Sequence, residues 1–399
     1  MIKLDIWVTF PDGSETPAGE MVCGDPDSQG RIPGAFRYTD EYLKHPQAFP
    51  FDPVALHLAN DEFIADRPSG VFAVFEDSLP DDWGRRLLVR KAKLERGRQT
   101  IPNLLLALGG HGLGALSYFQ KGTAKIKYNY VSEIDLEMLL TAAEKYEKGT
   151  VRDNSELRLL FQAGSSPGGA RPKVIIEAEG ALWLAKFPSV KDDLAVVKIE
   201  AATLSLAKKA GLNIPEFKLI NCAGRDVLMV RRFDIADRGG RRHMISMSTL
   251  LKVEGWYNLS YKDIFEVLRV HSSQPEVDLP AMYRQMVFNA LIGNTDDHLK
   301  NFMMLHDDSG YYLSPAYDLL PDTAERREHV LYFENDHYFP GVSGLESIGK
   351  RFGIRTPRKV AEAVADVVLG WKAEYKAFGV SKADIKRLEW GIDRRLKTF

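Results

Sequence analysis

Nine consecutive residues, Asn294-Thr295-Asp296-Asp297-His298-Leu299-Lys300-Asn301-Phe302, set two carboxylates, an imidazole, an amine and two amides between apolar segments. Burying that many polar groups is costly unless each is paired within the chain or meets a ligand. Any fold of this chain must therefore either cap the stretch or open a cleft onto it. The residues leading into it, Tyr283, Met286, Val287, Ala290 and Leu291, carry the i, i+3, i+4 spacing of an amphipathic helix, so the polar cluster is expected where that helix ends. A further carboxylate, Asp318, lies beyond a turn at Asp307-Asp308-Ser309-Gly310 and an extended run. A hairpin there brings Asp318 back beside Asn301. Asp296, Asn301 and Asp318 together are hard oxygen donors of the kind Mg²⁺ accepts when most of its shell is water and phosphate.

With 399 residues the chain exceeds one ordinary domain. Its formal charge of −2 makes no global case for nucleic acid or a membrane surface. Cys23 and Cys222 are the only cysteines, too few for a disulfide framework or a zinc site. The first residues alternate like a strand, no apolar run reaches membrane-spanning length, and a cytoplasmic protein is expected. Residues 1–125, rich in Gly, Pro and aromatics, read as a small, mostly β unit with one helix from Trp83 to Glu95. Gly109 to Gly114 reads as a turn into the strand Ala115 to Phe119 rather than as a phosphate loop. Residues 150–235 read as a small β-containing lobe, with Lys186 on the strand Ala181 to Phe187 and Glu200 on the helix Asp193 to Ala210. Residues 236–399 read as a helical lobe with helices over Tyr261 to His271, Leu279 to Gly293 and Pro357 to Phe378, and a last one capped by Ser381.

The second informative stretch is Gly164-Ser165-Ser166-Pro167-Gly168-Gly169-Ala170-Arg171-Pro172-Lys173. Adjacent glycines let backbone amides approach an anion, and Arg171 and Lys173 add charge, although a plain surface turn has the same composition. The G-x-x-x-x-G-K-[ST] pattern is absent, which argues against a P-loop NTPase. What carries weight is order: glycine-rich loop, strand lysine Lys186, helix glutamate Glu200, then Asp296 and Asn301 five apart, then Asp318. This is the sequence of parts in kinase-type phosphoryl transfer. Taken singly, Lys186 and Glu200 read as surface residues, the arginines from Arg231 to Arg242 as a solvated loop, and the basic last helix (Lys386, Arg387, Arg394, Arg395, Lys397) as a solvated face. Asp297 reads as a hydrogen-bonding partner or as exposed.

The combination resembles the HipA toxin kinases of bacterial toxin–antitoxin systems. Glu76-Asp77-Ser78-Leu79-Pro80-Asp81-Asp82 looks like the family's N-terminal domain. Ser166 to Lys173, Ala185-Lys186-Phe187-Pro188, Arg232-Phe233-Asp234, Phe288-Asn289 to Phe302 and Pro315-Ala316-Tyr317-Asp318 look like its kinase core. The resemblance implies an α+β, two-lobed, protein-kinase-like fold close to the phosphoinositide 3/4-kinases, with a small N-terminal domain and a helical C-terminal lobe. It implies Asp296 as catalytic base and Asn301 and Asp318 as Mg²⁺ ligands. ATP would be held by Gly168, Gly169, Ala170, Arg171, Pro172, Lys173 and Lys186, with Arg231, Arg232 and Phe233 at adenine and His298, Lys300 and Tyr317 beside them. Glu200 would support Lys186, and Ser166 falls on the serine that family members autophosphorylate. The H-R-D and D-F-G triplets of ordinary protein kinases are missing, as they are in the family. Family members phosphorylate aminoacyl-tRNA synthetases and are neutralised by a small helix-turn-helix antitoxin of the HipB kind. The alternatives are a nucleotide-binding co-repressor acting with such an antitoxin on operator DNA, and a metal-dependent hydrolase, which leaves the glycine-rich loop and Lys186 unexplained.

Overall fold

The computed structural model describes residues 1–397 apart from 124–130, 133–135, 152–158, 162–170, Trp256 and Glu325. The N-terminal sheet is built from β1 (Ile2–Thr9), β2 (Glu15–Cys23), β3 (Gly34–Tyr38), β4 (Phe63–Ile64) and β5 (Leu116–Gln120), in the order β4-β3-β2-β1-β5. In β1 every second residue, Leu4, Ile6 and Val8, is buried, the period-two signature of a sheet with one face on a core. Phe36, Tyr38, Tyr42, Phe49, Phe51 and Phe75 fill that core with edge-on and tilted ring pairs. The expected helix covers Asp82–Lys91, and Ile101–Leu108 forms a further helix that the sequence reading missed. Gly109 to Gly114 is indeed a turn into β5.

A second sheet combines β6 (Val131–Ser132), β7 (Lys173–Ala178), β8 (Ala181–Lys186), β9 (Phe217–Cys222) and β10 (Arg225–Arg231), in the order β6-β7-β8-β10-β9. Its two tight hairpins turn through Glu179-Gly180 and Ala223-Gly224. Both residues of each pair have positive φ, as a two-residue turn matching strand twist requires. The helix Val196–Lys209 packs against β10 and carries Glu200.

In the third body, β11 (His243–Ser246), β12 (Met303–Asp307) and β13 (Gly310–Leu313) form a small sheet of order β11-β12-β13 among the helices Tyr261–His271, Pro275–Ile292, Gly341–Arg351, Pro357–Val368, Trp371–Ala377 and Lys382–Leu396. The hairpin β12–β13 is the one read from the sequence. The expected single helix over Pro357 to Phe378 is broken near Gly370, and Gly341–Arg351 was not foreseen. Pro275–Ile292 is the spine of this lobe, with nearly every residue from Met282 to Ile292 buried. Gly293, left-handed at φ 76°, ends it. The positive φ favours glycine here, and a Cβ would come within 2.8 Å of the Arg395 guanidinium, which would have to move aside. Arg395 is accordingly 3% exposed rather than on a solvated face. Among the described residues no helix is long and apolar enough to cross a membrane.

Candidate active site

The polar loop leaves the helix end under tight control. Asn294 donates from its backbone N–H to Asn289 O at 3.0 Å and from its amide to Asn289 Oδ1 at 3.2 Å. Asp297 is 0% exposed on its side chain. It accepts the Tyr261 hydroxyl at 2.6 Å, His329 Nδ1 at 3.0 Å, and the backbone N–H groups of Val330 and Leu331 at 2.9 and 3.3 Å. With Asp297 anchored beneath the loop, Asp296 stands exposed and lines the cleft between the lobes. Asn301, closing a 3₁₀ turn over Leu299–Asn301, donates its amide to Asp296 O at 2.9 Å. Asn301 lines the same cleft as Asp296.

Across the cleft, Lys186 at the end of β8 is held between two carboxylates, Glu200 on the helix and Asp318 Oδ1, the latter at 3.0 Å. Asp318 adopts a left-handed backbone at φ 54°, a conformation Asp tolerates better than most residues. The Lys186 ammonium holds the Asp318 carboxyl well below the usual range against the opposing effect of burial, with Lys173 adding to the pull. Burial works to lower Lys186, yet the charges of Asp318 and Glu200 raise it above its ordinary value. Lys173 faces Lys186 directly in the β7–β8 register and is buried. Desolvation first, and then the neighbouring Lys186 charge, push it down to about 8.

Part of the cleft wall is apolar, formed by Leu184, Leu204, Val230, Met244, Met303 and Phe233. The Phe233 and Tyr317 rings lie 5.6 Å apart, and the Tyr317 hydroxyl donates to Lys300 O at 2.7 Å. His298, Lys300 and Arg231 also line the cleft, and Arg231 is drawn outward to Glu216 at 2.9 Å. The reading of Arg231 to Arg242 as a solvated loop is corrected at Arg232. That residue is buried, pairs through Nε and Nη2 with buried Asp234 at 3.0 and 2.5 Å, and donates to Gly112 O at 3.1 Å. Gly114 N donates to the same Asp234 at 2.8 Å, so the Gly109 to Gly114 turn is pinned to the link between the lobes. Arg171 pairs with Asp192 at 2.8 Å, and Pro172 is buried at the start of β7. Gly168, Gly169, Ala170 and Ser166 lie outside the described residues.

The N-terminal domain enters the site in a way the sequence did not disclose. Leu113 lines the cleft beside the apolar Met244, Met303 and Phe233, and Asp77 and Asp81 line it too. Asp77 accepts Ser246 N, Ser246 Oγ and Thr249 Oγ1, each at 2.8 Å, while Met247 N donates to Phe302 O at 2.9 Å at the end of the polar loop. Burial raises Asp77 to about 6 despite these three donors. Neither Asp77 nor His329 carries a local signal: their partners lie 169 and 32 residues away.

The donor set fits a metal–triphosphate. Asn301 and Asp318 offer oxygen to a cleft that Lys186 and Lys173 also line. Among the described residues no three His, Cys, Asp or Glu side chains converge on a point. A cation held here would therefore take most of its shell from outside the chain, as Mg²⁺ does on nucleotides.

Comparison with known proteins agrees with this anatomy. The HipA-like C-terminal domain matches residues 165–373, and the HipA N-terminal domain matches residues 15–119. Y4mE of Sinorhizobium fredii, provisionally named a kinase, is 29% identical over 214 residues, covering 51% of this chain and 44% of its own. With 54% of Y4dM from the same organism covered, the chain spans about half the length of these curated relatives. The serine/threonine-protein kinase toxin HipA of Shewanella oneidensis is 24% identical over 330 residues, covering 73% of this chain and 76% of the toxin. A solved complex of S. oneidensis HipA, HipB and operator DNA contains a chain that superposes with a TM-score of 0.69 at 16% identity, over 99% of this chain and 96% of that one. The fold is thus the two-lobed, kinase-like α+β fold with an added N-terminal domain, and the chain belongs to the HipA family.

Proposed function

We propose that this chain is an ATP- and Mg²⁺-dependent serine/threonine protein kinase acting as the toxin of a toxin–antitoxin module. The observation that carries the reading is an exposed Asp296, braced from below by Asp297, on the same cleft as the Lys186–Glu200–Asp318 cluster. Asp296 positions the acceptor hydroxyl and takes its proton as the hydroxyl oxygen bonds to the γ-phosphorus of ATP, the bond from that phosphorus to the bridging oxygen breaks, and ADP leaves. Lys186 binds the phosphate oxygens, with Glu200 keeping the ammonium extended into the cleft. Asn301 and Asp318 hold Mg²⁺, which when bound balances charge on the transferred group. The wall of Leu184, Val230, Phe233 and Tyr317 receives the adenine. Ser166 is the proposed self-phosphorylation site.

For partners, the solved S. oneidensis complex holds HipB and operator DNA. A small helix-turn-helix protein that neutralises this chain and carries it to operator DNA is proposed here by analogy. A translation component such as an aminoacyl-tRNA synthetase is proposed as the target. Incubation of the full chain with Mg-ATP and a cell lysate, followed by phosphosite mass spectrometry, tests the core of the reading. New phosphoserine or phosphothreonine that depends on Asp296 is the expected result. ATP turnover with no protein phosphorylation would overturn it.

A further inference from the structure

Beside the catalytic loop lies a second cavity of about 720 Å³, lined from the N-terminal domain by Arg67, Glu76, Asp77, Asp81 and Asp82, from the helical lobe by Ser248, Thr249 and Glu254, and from the loop by His298, Leu299 and Lys300. It shares Glu76, Asp77, Asp81, His298 and Lys300 with the nucleotide cleft, so the two spaces meet along the catalytic loop and the Glu76–Asp81 segment. Asp296 itself lines the nucleotide cleft and not this cavity, so a ligand here reaches it past His298 and Lys300, which line both spaces. The cavity's size is in the range of roughly 300–1,000 Å³ that fills with several side chains or a small ligand.

The walls select the charge of the occupant. Five carboxylates, Glu76, Asp77, Asp81, Asp82 and Glu254, line the cavity against two cations, Arg67 and Lys300. Arg67 is already engaged by Glu254 at 2.8 Å and Glu76 at 3.5 Å. Asp82 is exposed at the start of its helix. A phosphate-rich or nucleic-acid ligand would meet this field unfavourably, whereas a cationic segment would be drawn in. We infer that this cavity is the acceptor groove, and that it takes an extended, arginine- or lysine-bearing segment of the protein substrate and presents its serine or threonine to Asp296. The inference rests on the kinase reading above for the transfer step, but not for binding. It locates substrate choice in Arg67 to Asp82 and Glu254.

The test uses the full chain and a fluorescein-labelled peptide of alternating arginine, serine and glycine, with a glutamate-for-arginine counterpart as control. Binding is read by fluorescence anisotropy and transfer by radiolabel from Mg-ATP. Asp82→Lys with Glu254→Lys reverses charge at two positions that line only the second cavity. Glu254→Lys alone, outside any helix, covers the case in which the double variant folds poorly. The expected result is that wild type binds and phosphorylates the basic peptide in preference to the acidic one. Charge reversal should lower both by about tenfold or more while Mg-ATP affinity is retained. Equal use of the two peptides, or unchanged affinity in the variants, would overturn the groove and leave an interdomain gap only. Preferential binding of the basic peptide without transfer would uphold the groove and sink the kinase reading instead.

Discussion

Two polar clusters flank the same loop, one beneath it and one across the cleft from it, and they are satisfied in opposite ways. Under the loop, Asp297 meets a hydroxyl, an imidazole N–H and two backbone N–H groups, all from the chain itself and all but Val330 N buried. Across the cleft, Lys186, Glu200, Asp318 and Lys173 crowd two positive and two negative charges onto the wall of an open space, with Asp318 strained into the left-handed region. A buried polar group whose every partner lies within the chain holds the fold in one geometry. Charges that face a cavity, with the Asp318 carboxyl lowered and the Lys186 ammonium raised by each other's charge, mark a place built for a ligand. The comparison assigns neighbours in sequence to different tasks: Asp297 fixes the loop, and Asp296 acts from it.

The largest expected effect breaks the lower cluster. Asp297→Ala takes the acceptor from three buried donors, Tyr261 Oη, His329 Nδ1 and Leu331 N, while Val330 N keeps Thr295 O, and should cost about 3–5 kcal/mol, a large share of a typical domain's stability. Asp296→Asn, at an exposed position, should stay within about 0.5 kcal/mol. Urea unfolding of both variants measures the contrast, and similar losses for the two would erase the distinction. Next comes the upper cluster. Lys186→Met removes the main cause of the depressed Asp318 pKa. Because the folded pKa lies below the ordinary 3.8, wild type holds the Asp318 contribution above that pH and loses it as pH falls below. In Lys186→Met this part of the acid limb should vanish and Mg-ATP affinity should drop by about tenfold or more. Calorimetry and acid unfolding read the two effects together; an unchanged acid limb would show that the pair contributes nothing.

Much of this site was legible because its signals are local. The end of the spine helix, the five-residue interval from Asp296 to Asn301 and the turn at Asp307 to Gly310 are matters of spacing within a short stretch, and the order of Lys186, Glu200 and Asp318 supplied the rest. What stayed hidden depends on distant pairing. Arg232 sits in a run of arginines whose composition looks solvated, and its burial is matched by the Asp234 carboxylate beside it and the Gly112 carbonyl 120 residues away. Leu113 and Asp77 enter the cleft from a domain whose strands pair elsewhere, and nothing near them in sequence shows it. His329 meets Asp297 through a loop with no regular pattern at all.

A smaller effect sharpens the contrast between the clusters at the domain junction. Asp77 is an internally paired carboxyl that nonetheless lines the cavity, with a folded pKa of about 6 against an ordinary 3.8. The folded state therefore binds the extra proton, and wild type should gain stability as pH falls from about 6 towards 4. Since Asp77 is partly exposed, about 1 kcal/mol is the expected size. Asp77→Asn should lose this gain, seen as a flat Tm between pH 6 and 4 once the shared background is subtracted. An identical pH profile in the two proteins would refute it.

The division of labour between adjacent aspartates is tested most directly by Asp296→Asn, followed in one preparation by calorimetric titration with Mg-ATP and radiolabel transfer to protein. Nucleotide affinity close to wild type with phosphoryl transfer abolished is the expected result. Transfer at the wild-type rate, or loss of nucleotide binding in a protein as stable as wild type, would contradict it.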